Sequence, residues 1–130
     1  MKLHHVGVAV PDLEPAIEMY TTTFGALLTH RASNEADGLT AAFLQVGDAE
    51  IELLAPLRED STVGKFLARR GPGMHHVAYG VDDIARAMED ARAAGMELID
   101  EEPRMGMHGT LIVFIHPKSV GGVLTEFVQL

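Results

Sequence analysis

Four residues that could bind a metal ion stand at matching places in an internal duplication. His5 and His76 open two similar stretches, HHVGVAVPDLEPAIEM and HHVAYGVDDIARAMED, and each copy ends in a strand-like segment with a glutamate, Glu52 or Glu126. Two neutral imidazoles and two carboxylates balance the charge of a dication, and buried carboxylates without such a partner are costly. We therefore expect His5, Glu52, His76 and Glu126 to hold one divalent ion where the two copies meet, with Co²⁺, Ni²⁺, Mn²⁺, Zn²⁺ or Fe²⁺ favoured over Ca²⁺.

Strand alternation predicts that these side chains share one face of a sheet. Successive residues of a strand point to opposite faces, so the valines after His5 face a helix while His5 lies on the other side. His76 follows the same rule in the second copy, and Glu52 and Glu126 can point to the same concave side. The neighbours on the histidine face are small, which predicts open space above it: Gly7, Ala9, Ala78 and Gly80.

The predicted elements follow the order βαβββ twice. In the first copy we expect strands over 3–10, 26–31, 39–46 and 49–54, with a helix that starts after Asp12 and stops at Gly25. In the second copy we expect strands over 75–81, 97–99, 110–115 and 123–128, with a helix over 84–94 capped by Asp83. Ser61 caps a short helix between the copies. The repeated order predicts an α+β fold built from two fused modules.

Length and composition restrict the domain count and the partners. With 130 residues the chain forms one domain, with module 1 at about 1–55, a structured linker at about 56–73 and module 2 at about 74–130. A net charge of -9 argues against nucleic acid as a partner. No apolar run approaches the length of a membrane span, and a strand that begins near residue 2 leaves no room for a signal segment. The absence of cysteine fits a reducing compartment, so we expect a cytoplasmic protein whose metal ligands are nitrogen and oxygen.

The chain resembles the vicinal oxygen chelate superfamily and, within it, the methylmalonyl-CoA epimerases. The likeness is carried by residues 4–14, 51–57, 61–84, 100–110 and 116–129, and its most specific stretch is HPKS followed by GGVL and a glutamate. The resemblance implies a cupped mixed β-sheet with helices on its outer face, a homodimer, and a cobalt-type ion held by His5, Glu52, His76 and Glu126. It also implies epimerisation of methylmalonyl-CoA through a metal-stabilised enolate.

The resemblance makes Glu126 the first choice of catalytic base. Some relatives carry a second glutamate where this chain has Ala41, so that role does not transfer. From the pseudo-twofold symmetry we expect Glu52 to be the partner base, with Glu50 or a metal-bound water as alternatives. Epimerisation needs one group on each face of the reacting carbon.

Cations near the linker and the HPKS turn are candidates for the CoA phosphates. We expect Lys118 with Ser119 to serve first and Lys65 second. His30 and His108 have the character of surface or loop residues, and His4 precedes a ligand on the opposite strand face. Two alternatives stay open: a glyoxalase I type isomerase, and a non-catalytic small-molecule-binding module of the same superfamily. An Fe²⁺ dioxygenase is disfavoured, because four protein ligands leave only two positions for substrate and oxygen.

Overall fold

The computed structural model describes residues 1–130 and contains the predicted element order. The first copy comprises β1 (Lys2–Ala9), α1 (Leu13–Phe24), β2 (Leu27–Asn34), β3 (Leu39–Val46) and β4 (Ala49–Pro56). A linking helix, α2 (Thr62–Arg70), leads to β5 (Gly73–Val81), α3 (Ile84–Ala93), β6 (Arg104–Met105), β7 (Leu111–Ile115) and β8 (Thr125–Gln129). No helix combines the length and the apolar character that crossing a membrane requires.

The strands form one mixed sheet with the order β2-β3-β4-β1-β5-β8-β7-β6. The β2–β3 and β3–β4 pairs are antiparallel, whereas β5 and β8 run parallel with Ala78 opposite Glu126. The α+β class and the paired βαβββ modules are therefore confirmed. The chain divides into two compact units, which we call the N-terminal unit (Val6–His75) and the C-terminal unit (Met1–His5 with His76–Leu130).

Helix ends follow the local signals in the sequence, with one exception. Ser61 Oγ accepts a hydrogen bond from Gly64 N at the start of α2, and Asp83 Oδ1 accepts one from Arg86 N at the start of α3. Helix α1 ends at Gly25, whose φ of 64° suits glycine. Asp12 occupies the N-cap position of α1, but its side chain makes no capping hydrogen bond.

Each unit has its own apolar core on the helix side of its strands. In the N-terminal unit, Leu13 and Ile17 of α1 pack with residues of β3 and β4. Val8 of β1 and Val10, which follows β1, lie against this cluster as the alternation predicts. In the C-terminal unit, α3 covers a cluster that includes Val113, Ile115 and Phe127. The other face of these C-terminal strands carries a smaller cluster of Ala78, Ile112 and Val128. That second face is the one on which the predicted site residues lie.

The strand predicted near 97–99 is reduced to one bridge, although Glu97 O accepts a hydrogen bond from His116 N and Ile99 N donates one to Phe114 O. Leu98 makes only an isolated bridge to Ile115, and the first regular strand after α3 is the two-residue β6. A side chain interrupts the ladder, because Asp100 Oδ2 accepts the hydrogen bond from Phe114 N that a neighbouring backbone carbonyl would otherwise take. Because the Phe114 N–H already has an acceptor, the segment after Leu98 is not required to supply a backbone carbonyl for it.

Candidate metal centre

His76 and Glu126 reach the same face of the C-terminal unit through the parallel β5–β8 pair. Ala78 lies opposite Glu126, and His76 precedes Ala78 by two residues, so both side chains leave the sheet on the side away from α3. His76 is 2% exposed and Glu126 is 5% exposed. The ring of Phe114, on β7, meets the His76 ring edge to face at 5.7 Å and restricts its rotation. Burying a carboxylate and an imidazole on an apolar sheet face costs free energy unless hydrogen bonds, an opposite charge or a metal ion compensate for the lost hydration.

His5 completes a three-residue cluster in this unit. Its Nε2 atom is 3.0 Å from His76 Nε2 and 3.4 Å from Glu126 Oε1, and the residue is 1% exposed. Two ligands of one ion at bond lengths of about 2.1 Å lie about 3.0 Å apart in octahedral geometry and about 3.4 Å apart in tetrahedral geometry. The spacing and the nitrogen and oxygen donors therefore fit a borderline divalent cation.

The protonation state of His5 also favours metal binding. Its pKa is lowered from the ordinary 6.5 to about 2, first because burial disfavours the charged ring and then because of repulsion from His76, His108 and His4. A neutral imidazole retains a lone pair on one nitrogen, and that lone pair is what a metal ion requires.

Glu52 lies in the N-terminal unit, where it is 5% exposed on β4. It pairs across the ladder with Phe43 of β3, and its neighbours Leu53 and Leu54 are buried. Glu52 thus shares with Glu126 both its degree of burial and its place on the last strand of a βαβββ module. Its membership of the ligand set stays a prediction.

Sequence reasoning missed His108, which was expected to be a surface or loop residue. It belongs to the loop between β6 and β7, but it is half-buried and its ring centroid lies 5.1 Å from His4 and 5.2 Å from His5. His4 is also half-buried, and its Nδ1 atom is 2.8 Å from His5 Nδ1. Strand periodicity carries no information about a loop residue, so no local signal could have placed His108 beside the site.

The space predicted above the small residues is partly filled. A side chain at Gly80 would meet Leu130, because an added Cβ would lie 2.7 Å from Leu130 Cδ2. The Leu130 side chain therefore occupies part of the space next to position 80. Ala78, in contrast, is fully buried within its own apolar cluster.

Comparisons with known proteins place this arrangement in a family. Residues 4–114 match the Glyoxalase/Bleomycin resistance protein/Dioxygenase superfamily. The ethylmalonyl-CoA/methylmalonyl-CoA epimerase of Cereibacter sphaeroides is 38% identical over 98% of this chain and 97% of that protein. The chain belongs to the methylmalonyl-CoA epimerase family of this superfamily.

Solved structures of the family superpose closely on the chain. The methylmalonyl-CoA epimerase of Mycobacterium tuberculosis has a TM-score of 0.93 and 43% identity, covering 98% of this chain and 87% of that one. The Streptomyces coelicolor methylmalonyl-CoA epimerase in complex with 2-nitronate-propionyl-CoA has a TM-score of 0.93 and 40% identity, covering 99% and 96%. The similarity extends over nearly the whole chain and confirms the fold class.

At the position where some epimerases carry a second glutamate, this chain has a buried alanine, Ala41. Ala41 is fully buried on β3, between Ala32 of β2 and Leu54 of β4. Its methyl group has no proton to exchange. Any second base in this chain must therefore come from another residue.

The residues expected to bind CoA have structural partners of their own. Lys118 Nζ lies 2.7 Å from Glu97 Oε2 on the surface, and this hydrogen bond lowers the pKa of the Glu97 carboxyl. Ser119 Oγ accepts a hydrogen bond from Glu97 N at 2.9 Å. Lys65 is exposed on α2 of the N-terminal unit. His116 shapes the turn, since its Nδ1 accepts from Lys118 N at 3.1 Å.

Proposed function

We propose that this chain is a methylmalonyl-CoA epimerase that interconverts the (R) and (S) forms by proton transfer at C2. The observation that carries the proposal is the buried cluster in which Glu126 and His76 both approach His5 Nε2, at 3.4 Å and 3.0 Å. It occurs in a chain 38% to 43% identical to proteins that bear this name. The C2 proton lies between a thioester carbonyl and a carboxylate, which makes it acidic enough for a carboxylate base.

The proposed ligands of the ion are His5, His76, Glu126 and Glu52. The first three are supported by their spacing and donor types, and Glu52 is supported by its burial and its equivalent place in the other module. Co²⁺ is the preferred ion, with Ni²⁺, Mn²⁺ and Zn²⁺ as possible substitutes. When bound, a divalent cation supplies positive charge that stabilises the negative charge developing on the substrate oxygens.

Two carboxylates carry the proton in this proposal. Glu126 removes the C2 proton from one face, and Glu52 returns one to the other face from a carboxyl oxygen that carries a proton, so only its other oxygen can serve as a ligand. The buried methyl group of Ala41 leaves no base at the position that some relatives use. Positioned acid–base groups contribute a factor of about 10² to 10⁴ to the rate, so the loss of either carboxylate should be easy to measure.

Exchange of the C2 proton of methylmalonyl-CoA in heavy water tests the two-base assignment. We expect Glu126→Gln and Glu52→Gln each to lose epimerisation by about 10² to 10⁴-fold, because an amide cannot take up the proton. One of the two variants should still exchange deuterium on one face. Glu89→Gln, on the exposed side of α3, is the matched control and should behave as wild type. Near-normal turnover in both site variants would refute the base assignments.

Lys118, with Ser119 beside it, is proposed to bind the CoA phosphates, and Lys65 is proposed as a second cation. The ion pair of Lys118 with Glu97 is exposed on both sides, so a phosphate can replace Glu97 at little cost. Lys118→Ala should raise the KM for methylmalonyl-CoA and leave kcat nearly unchanged. Glu97→Gln is the informative control, because it releases the lysine without removing its charge and should not raise KM.

Two other functions are separated from this one by substrate and by metal content. A glyoxalase I type isomerase would act on the hemithioacetal of methylglyoxal and glutathione, and we expect no turnover of that compound. A non-catalytic binding module would need no stoichiometric ion after dialysis. We expect one divalent ion per chain, together with turnover of methylmalonyl-CoA.

The proposal also includes a homodimer located in the cytoplasm. The homodimer is implied by the resemblance to the epimerases, and the absence of cysteine fits a reducing compartment. Sedimentation equilibrium of the purified chain tests the dimer directly.

A further inference from the structure

The two nitrogens of the His5 ring face different partners. Nε2 lies near His76 and Glu126, whereas Nδ1 lies 2.8 Å from Nδ1 of His4. A separation of 2.8 Å between two ring nitrogens is a hydrogen-bond distance, so one of them carries a proton and the other accepts it.

The proposed role of His5 decides which nitrogen is the donor. A ring nitrogen that binds a metal ion carries no proton, and a neutral imidazole has only one. If Nε2 faces the ion, the proton of His5 is on Nδ1 and is donated to His4 Nδ1. The proton of His4 is then on its own Nε2. The hydrogen bond between His4 and His5 therefore sets the tautomers of both rings, and in the metal-free protein His5 Nε2 can only accept a hydrogen bond from His76 Nε2, at 3.0 Å.

We propose that His4 is a positioning residue, which fixes the tautomer and ring orientation of His5 so that Nε2 is ready for the metal ion. This inference depends on the proposed function, because it takes His5 as a ligand. Outer partners of this kind typically contribute about 10 to 100-fold to metal affinity. The residue is unusual as an outer partner because it is the chain neighbour of the ligand it orients.

His108 supports the same pair from the side. Its ring lies edge to face against His4 at 5.1 Å and tilted against His5 at 5.2 Å. The β6–β7 loop that carries it is closed by hydrogen bonds from Gly106 N to Thr110 O and from Gly109 N to Gly106 O. A ring held in this way restricts the rotation of both His4 and His5, so its removal should weaken the positioning less than the loss of the His4 acceptor.

Nitrogen-15 NMR of the histidine rings in the metal-free protein tests the tautomer directly. In the wild type we expect the His5 proton on Nδ1. His4→Phe keeps a ring but removes the acceptor, so the proton should move toward Nε2. His4→Asn places a carbonyl oxygen near the position of Nδ1 and should restore the wild-type tautomer. His30→Phe, an exposed histidine of the N-terminal unit, is the control and should change nothing.

Titration with Co²⁺ alone supplies the second measurement. We expect His4→Phe to weaken Co²⁺ binding about 10 to 100-fold, His4→Asn to recover most of that loss, and His108→Phe to weaken binding less than His4→Phe. A wild-type His5 that carries its proton on Nε2 would overturn the proposal, as would a His4→Phe variant with unchanged tautomer and affinity. His4, His5 and His108 have donor atoms within 4.8 Å of one another, so a second Co²⁺ per chain that disappears in His4→Phe would make this cluster a metal site instead and would also overturn it.

A failure of the proposed function would look different. If His5→Phe, which has no donor atom, left the Co²⁺ affinity unchanged, His5 would not be a ligand, whatever its tautomer. If His5→Phe abolished binding but the wild-type proton lay on Nε2, only the role of His4 would fall.

Discussion

The two copies of the βαβββ module differ most in the segment that follows the helix. In the first copy, β2 has eight residues and pairs along most of its length with β3. In the second copy, the corresponding segment makes a single bridge, and β6 has two residues before the loop that carries His108. The strands that carry the predicted ligands are better preserved. The two copies thus share the strands of the predicted ligands, while the loop at the irregular edge of the second copy brings an additional imidazole, His108, to His5.

The ligands give the largest expected effect and the most direct test of equivalence between the copies. His5→Phe and His76→Phe should each weaken Co²⁺ binding by more than about 100-fold, beyond the range of outer partners, since the phenyl ring has no donor atom. The two losses should be similar. His75→Gln, next to a ligand but packed on Phe66, should bind as wild type. A large difference between the two ligand variants would show that the copies contribute unequally.

The burial of His5 predicts that stability depends on pH. The folded pKa of about 2 lies below the ordinary 6.5, so the unfolded chain binds a proton that the folded chain does not, and stability falls as the pH falls below about 6.5. One such group costs about 2 kcal/mol between about pH 7 and about pH 5. Urea unfolding of the metal-free protein across this range measures the slope.

Two variants show whether His5 causes this pH dependence of the unfolding free energy. His5→Gln should flatten it, whereas His30→Gln, which changes an exposed ring, should leave it unchanged. If the slope persisted in His5→Gln, other buried groups would be its source.

Variants of Asp100 measure how much the hydrogen bond at the end of the short second-copy segment contributes to stability. Asp100→Ala leaves the Phe114 N–H without its acceptor and should cost about 1 to 3 kcal/mol of unfolding free energy. Asp100→Asn keeps an acceptor oxygen and should cost less. Denaturant unfolding provides the measurement, and equal losses in the two variants would show that the carboxylate charge matters more than the hydrogen bond.

The smallest expected effect on stability is at the helix caps, where Asp12 of α1 and Asp83 of α3 occupy equivalent N-cap positions. Asp83→Ala should cost about 1 kcal/mol, because Asp83 Oδ1 caps α3 through Arg86 N. Asp12→Ala should cost clearly less, because Asp12 makes no such bond at α1. The same unfolding assay measures both, and a larger loss at Asp12 would contradict the difference between the two helix starts.

Local rules explain what the sequence could predict. Strand β3 has the predicted bounds, and the caps at Ser61 and Asp83 form as expected, because these features depend on neighbouring residues alone. Alternation also predicted the shared face of His76 and Glu126, and the pairing of β5 with β8 places both side chains there. Within one unit the structure brings His5 to the same two side chains.

The predictions failed at positions where contacts between distant parts of the chain determine the structure. The segment at 97–99 does not extend into a regular strand, because the Asp100 carboxylate accepts the hydrogen bond from Phe114 N, which strand propensity does not describe. The space above Gly80 is taken by Leu130, fifty residues later in the sequence. His108 reached the site because of the path of a loop, and no periodic pattern covers a loop.

The C-terminal unit is built from two segments that are far apart in the sequence, and this affects the order in which it can form during synthesis. His5 leaves the ribosome about 120 residues before Glu126, yet both belong to this unit. Contacts between such distant segments form late and slow the folding of small domains. The proposed ligand set is therefore incomplete until Glu126 has been synthesised, and ion binding that needs Glu126 should not occur on shorter nascent chains.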